Sequence, residues 1–154
     1  MPNYTSTAQL VQVQLANLQA LMNPEKVLRT AVVTMVPEMK NRIQQDGKKS
    51  DGTKITTPAT QRFGAYSKQY GKKRSKFGRQ TGHIDLTFNN DMMRDLKPGP
   101  TGPSSYGIGF LSDEQRTIGN YNEKTFGPIF DPTDQELKQS LVTINKAIQQ
   151  IASK

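Results

Sequence analysis

The side chains with the most chemical reach lie in one stretch. From Ala65 to Gly82 the chain reads AYSKQYGKKRSKFGRQTG, with Lys68, Lys72, Lys73, Arg74, Lys76 and Arg79, no acid, and the aromatics Tyr66, Tyr70 and Phe77. Arg62 lies just upstream. Lysine and arginine neutralise phosphates and carboxylates, and interleaved rings can stack on bases. These ten side chains are the candidate contact surface for a partner or for DNA. The residues alone leave three readings open: a nucleic-acid-binding segment, a loop docked on acidic faces of neighbouring subunits, or a solvated loop. Lysine, the commoner cation here, acts as a point charge, so sequence-specific base reading is not expected.

Other chemistry finds little footing. His83 is the only histidine and there is no cysteine, so thiolate catalysis, thiolate metal sites and disulfides are excluded. Nothing near His83 organises a nucleophile, and a structural or surface role is expected for it. Asp91 and Asp95 stand four apart, as paired carboxylates on a helix would, but no histidine or third acid accompanies them. Asp46 and Asp51 in DGKKSDG resemble part of a calcium loop, yet lysines lie between them and no glutamate follows where a bidentate ligand is needed. GIG at 107–109 lacks the third glycine of a dinucleotide fingerprint, and the lysine runs lack the leading glycine of a phosphate-binding loop. No enzyme, no cofactor and no metal is expected.

Charge is concentrated in the same region. Lys40 to Gln80 holds twelve Lys or Arg against two Asp, a net +10, which leaves −2 for the rest of a +8 chain. Such a focused patch implies an anionic partner at one place. Hydrophobic residues make up 33% of the 154, and the 12 glycines do not lift the apolar share to that of an ordinary globular domain. Part of the chain is therefore expected to be disordered or ordered by partners. No apolar run is long enough to cross a membrane, and the N-terminus makes a poor signal peptide, with no Lys or Arg before Lys26. A soluble protein made in the cytoplasm is expected.

The elements that must position these groups read as one α+β domain: N-terminal helices, a long basic loop insertion, a small antiparallel sheet and a C-terminal helix. Residues 1–22 form an N-terminal extension or helix, with Val11, Leu15, Leu18 and Met22 in a helical stripe. A helix over 23–46 starts at Asn23-Pro24 and buries Leu28, Val32, Met35, Met39 and Ile43. Pro37 should kink or split it, and Gly47 should stop it. Residues 47–81 lack apolar periodicity and read as an extended basic arm, with at most a weakly signalled helix near 60–69. Residues 82–154 carry the sheet and helices. HIDLTF at 83–88 alternates like a strand or an extended lead-in, and PGPTGP at 98–103 is turn chemistry. SSYGIGFL puts Tyr106, Ile108 and Phe110 on one face and leaves Gly107 and Gly109 bare for close approach of a helix or another chain. Ser112 caps a helix that ends at Phe126-Gly127. Thr133 and Glu136 have capping-box spacing, and Leu137, Leu141, Ile144, Ile148 and Ile151 should form the buried seam of the last helix.

Three stretches carry a family resemblance. GRQTGHIDLTFNNDMMRDL, YGIGFLSDEQRTIGNYNEKTFG and IFDPTDQELKQSLVTI resemble the head–tail joining proteins of tailed phages, also called neck, tail-completion or virion-morphogenesis proteins. A lead-in to a sheet falls on Gly82–Phe88, a strand on Ile108–Phe110, the end of a short helix on Phe126-Gly127, and a return into a final helix on Phe130–Ile144. The basic segment resembles the family's extended insertion. The resemblance spans roughly residues 27–151, with GPIFDP departing from the usual return and the chain before Asn23 outside the pattern. It implies a non-catalytic structural subunit of the virion, a homo-oligomeric ring at the head–tail connector, neck or tail terminator. Its neighbours would be other virion proteins on the portal and tail sides, and it would assemble in the host cytoplasm. The basic segment would then serve as an assembly arm, with non-specific contact to genomic DNA left open and no membrane involved. The alternative is a small non-sequence-specific nucleic-acid-binding protein.

Overall fold

The computed structural model describes residues 24–57, 60, 64–102 and 105–152. The stripe expected over 6–22 and residues 61–63, Arg62 among them, lie outside the described residues; of the helix expected near 60–69, residues 64–67 are bends and non-helical chain, and helical chain follows only from Lys68.

Helix α1 (Pro24–Gln44) buries Val27, Ala31, Val32, Met35, Val36, Met39 and Ile43. Of the kink or split expected at Pro37, the split does not occur, and the helix runs through as one element. Pro37 is exposed, so its ring meets solvent, and its missing N–H costs one ladder bond to the Val33 carbonyl. The helix stops where expected. Gln45 N–H and Asp46 N–H both fold back on the Asn41 carbonyl, and Gly47 follows at φ 61°. A Cβ on Gly47 would stand 2.8 Å from the His83 ring, so the position needs glycine for its backbone and for its neighbour.

The segment after Gly47 is not an extended arm over its described length. Lys48 and Lys54 pair across a tight turn, Ile55 N–H reaches back to the Gly47 carbonyl, and the Ile55 side chain enters the core. Ser67 then caps a second helix, α2 (Lys68–Lys76), by accepting from Tyr70 N–H. HIDLTF is not a strand: Leu86 sits at φ 53° and Thr87 N–H turns back onto Asp85, which no pleated strand allows.

A short helix α3 (Asp91–Asp95) buries Met92 and Met93 and leads directly into β1 (Leu96–Gly102), which pairs antiparallel with β2 (Ser105–Phe110). β1 thus takes up Pro98–Gly102 of the stretch expected to be a turn, whose Pro103 lies outside the described residues. Leu111 N–H donates to the Asp95 carbonyl, which fixes the parity of the ladder. Pro98 and Pro100 therefore direct their nitrogens away from β2, where no donor is missed, and they blunt the outer edge of the hairpin. At the strand glycines no helix of the described residues comes close: Gly107 faces Thr101 of β1, 2.8 Å from where a Cβ would be, and nothing lies within 4 Å of one on Gly109. In α4 (Asp113–Phe126), capped by Ser112, Gly119 lies under the Phe110 ring, 2.3 Å from where a Cβ would be.

The last helix, α5 (Asp134–Ala152), packs along α1. Its inward residues are Glu136 and Ser140, with Thr143 half-buried behind them. The first half of the apolar seam expected to be buried is turned outward, with Leu137 42% and Leu141 57% exposed; Ile144 and Ile148 further along are half-buried, and the Ile151 side chain lies outside the described residues. Glu136 sets this rotation. Its carboxylate accepts from Arg42 Nε at 2.8 Å, so the helix turns that carboxylate toward α1 and its leucines away. The main core joins Ile43, Ile55, Ile84, Met92, Met93, Leu96 and Ile129, under the sheet and the basic segment alike.

Candidate functional site

The basic segment is organised around Arg74. Arg74 lies on the inner side of α2 and is 1% exposed, with Tyr70 one turn before it and Phe77, just past the helix end, at the solvent-facing margin of that side. Its Nη2 donates to Asp85 Oδ2 at 2.7 Å, its Nε to the Gln80 carbonyl at 2.9 Å, and its Nη1 to the Thr87 carbonyl. The guanidinium lies 4.5 Å from the Tyr66 ring centre. Asp85 is equally occupied. Oδ1 accepts from the Tyr66 hydroxyl and from Thr87 N–H, and Oδ2 also accepts from Gln80 Nε2. A buried ion pair is tolerated when each of its nitrogens and oxygens has a partner, as here. Burial pushes the Tyr66 hydroxyl well above its ordinary value, keeping it the donor to Asp85. One cation of the run is thus spent on holding 66–88 together.

The remaining cations face outward. Lys68, Lys72, Lys73, Lys76 and Arg79 are exposed, and among the described residues none is in an ion pair or side-chain hydrogen bond. Lys73 Nζ stands 5.2 Å from the Phe88 ring centre. The rings form a row, Tyr66 on Tyr70 at 5.4 Å, Tyr70 on Phe88 at 6.1 Å and Phe77 on Phe88 at 5.6 Å. Phe77 is 60% exposed. Nine of the ten candidate contact residues can therefore be placed. Lys68, Lys72, Lys73, Lys76, Arg79, Tyr70 and Phe77 share one surface, Tyr66 is half-buried beneath it, and Arg74 is a structural cation with no face for a partner. An open groove of about 690 Å3 lies between this surface and α4, lined by Tyr70, Phe88, Ile118 and Asn122. Asp91 and Glu114 also line it, so it does not extend the positive field.

A second buried cation went unread in the sequence. Arg42 on α1 bonds Glu136 and the carbonyls of Lys48, Ile129 and Asp131. Glu136 completes the expected capping box, accepting from Thr133 N–H while its own N–H donates to Thr133 Oγ1. A lone arginine in a helix carries no sequence mark of burial, so only the helical register, with Met39 and Ile43 beside it, could have signalled this one.

The residues weighed for catalysis stand apart. His83 Nε2 donates to the Gln44 carbonyl at 2.8 Å. Asp91 pairs with Arg94, whereas Asp95 accepts from Ser112 N–H and Oγ. Asp51 bonds Thr53, whose hydroxyl lowers the carboxyl below its ordinary value. Among the described residues no group of three or more His, Asp or Glu side chains converges on a metal-sized site, and no helix is long and apolar enough to cross a membrane.

Compared with protein-family models, with curated proteins and with solved structures, the chain has no match in any of the three.

Proposed function

We propose that this chain is a structural subunit of a tailed-bacteriophage virion, a ring-forming neck or tail-completion protein without catalytic activity. The resemblance of residues 27–151 to that family supplies the identity of the assembly. The observation that carries the reading physically is the outward seam of α5. Leu137 and Leu141 lie on one stripe with Leu137 42% and Leu141 57% exposed, and the adjacent Val142 is 54% exposed. A helix that turns a carboxylate inward and leucines outward has an apolar face that the other described residues do not cover. Fully burying an exposed leucine is worth about 1.5–3 kcal/mol, so covering the exposed half of each of these would add about 1 kcal/mol apiece, which a neighbouring subunit would supply here.

The contact surface of the subunit thus moves from the basic segment, which is folded on its own body, to α5. Sedimentation of the isolated protein across a wide concentration range tests this. Closed oligomers of one cyclic symmetry are expected, and Leu137→Gln with Leu141→Gln should return them to monomers without loss of helical signal. A chain that stays monomeric at every concentration and is absent from purified particles would overturn the reading.

A further inference from the structure

We infer that the outer face of α2 is a binding surface for the phosphate backbone of duplex nucleic acid. Lys68, Lys72 and Lys76 recur every four residues, a single stripe with steps of about 6 Å along the helix axis. Lys73 and Arg79 flank it, and α2 itself contains no acid. The nearest carboxylate, Asp85, is already neutralised by Arg74 behind the helix. Six cations against one acid over residues 64–88 leave a local charge of +5, carried wholly on the outside.

Two observations choose the partner. The helix turns its one arginine inward and its lysines outward, whereas protein interfaces favour arginine and are depleted in lysine. Lysines as point charges without a base-reading group suit phosphates of any sequence. The aromatic row then separates duplex from single strand. Tyr70 packs between Tyr66 and Phe88, and Phe77 packs edge-on to Phe88, with interplanar angles of 69°, 34° and 72°. Although Tyr70 is 38% and Phe77 60% exposed, the rings are turned against one another and do not make the parallel, face-open row on which successive bases of a single strand stack. This inference does not depend on ring assembly, since a monomer presents the same face.

Fluorescence anisotropy of a short labelled duplex of mixed sequence, titrated with the full chain over a salt series, tests it. Five phosphate contacts give a log–log salt slope of about −4.5, or about a 500-fold loss of affinity between roughly 50 and 200 mM salt. Lys68→Gln, Lys72→Gln and Lys76→Gln together should reduce the slope to about −1.8 and that loss to about 12-fold. These side chains bond nothing among the described residues, so the circular dichroism of the variant should match the parent. If the triple variant does not fold, Lys73→Gln with Arg79→Gln should still lower the slope to about −2.7. An unchanged slope in either folded variant overturns the inference. So does tighter binding of a single strand of equal length, or displacement of the duplex by poly-glutamate at equal charge, which would mark an acidic protein surface instead.

Discussion

Replacing Arg74 by Met tests the packing of the basic segment where it is most concentrated. The substitution removes a guanidinium that bonds Asp85 and two backbone carbonyls, and it leaves the Asp85 carboxylate 5% exposed with its counter-charge gone. Breaking one side of a buried pair costs about 3–5 kcal/mol, because the surviving charge stays desolvated. Tyr66, Gln80 and Thr87 N–H still bond the carboxylate, which places the expected loss at the lower end, about 3 kcal/mol. Urea unfolding followed by circular dichroism reads this as a lower midpoint at unchanged slope. Pairing Arg74→Met with Asp85→Asn should cost clearly less than the sum of the two single changes, since neither lone charge remains. Trypsin gives an independent readout, because Lys72, Lys73 and Lys76 are cleavable once α2 leaves the body. The variant should be cut there faster than the parent. A loss under about 1 kcal/mol, with additive single changes and no new cleavage, would refute the packing and restore a loose arm.

Three further outcomes follow from the same geometry. Gly119→Ala gains up to about 1 kcal/mol of helix propensity but drives a methyl into the Phe110 ring; overpacking of about 1–3 kcal/mol should win in thermal unfolding, and Phe110→Leu on that background should recover the loss. Glu136→Gln presents an amide to either Arg42 or Thr133 N–H, both donors, so a loss of about 3 kcal/mol is expected in urea, with α5 the first helix to exchange its amides. Tyr66 has its hydroxyl pKa raised from an ordinary 10.0, so its contribution is complete below pH 10.0 and lost as pH rises above that; the stability difference between the parent and Tyr66→Phe should shrink in alkaline solution and stay flat below.

Helix α1, its stop at Gly47, the Ser112 cap and the Thr133–Glu136 capping box were legible because each depends on neighbours a few residues away. The same is true of Tyr106, Ile108 and Phe110 in β2. What the sequence concealed depends on partners far along the chain. Arg74 looks like the other cations of its run until Asp85, eleven residues on, is brought to its Nη2. The leucine seam of α5 looks like a core face until Arg42, 94 residues away, claims Glu136 and turns the helix by one residue's angle. HIDLTF alternates as a strand does, yet the demand of Asp85 for Thr87 N–H and the Tyr66 hydroxyl outweighs a local pattern only six residues long. The low apolar content pointed to an unpacked segment. Within the described residues, two buried arginines replace part of the apolar core, and ion pairs of that kind have no periodicity to read.

Amide hydrogen exchange on the isolated chain tests most directly whether the basic segment owes its order to its own body. Gly71 and Phe77 N–H are bonded within α2, and Thr87 N–H is bonded to Asp85. These amides should exchange far more slowly than unstructured chain with no nucleic acid or second protein present, and Arg74→Met should release all three together. Free exchange at all three sites in the parent, slowed only when a partner is added, would contradict it.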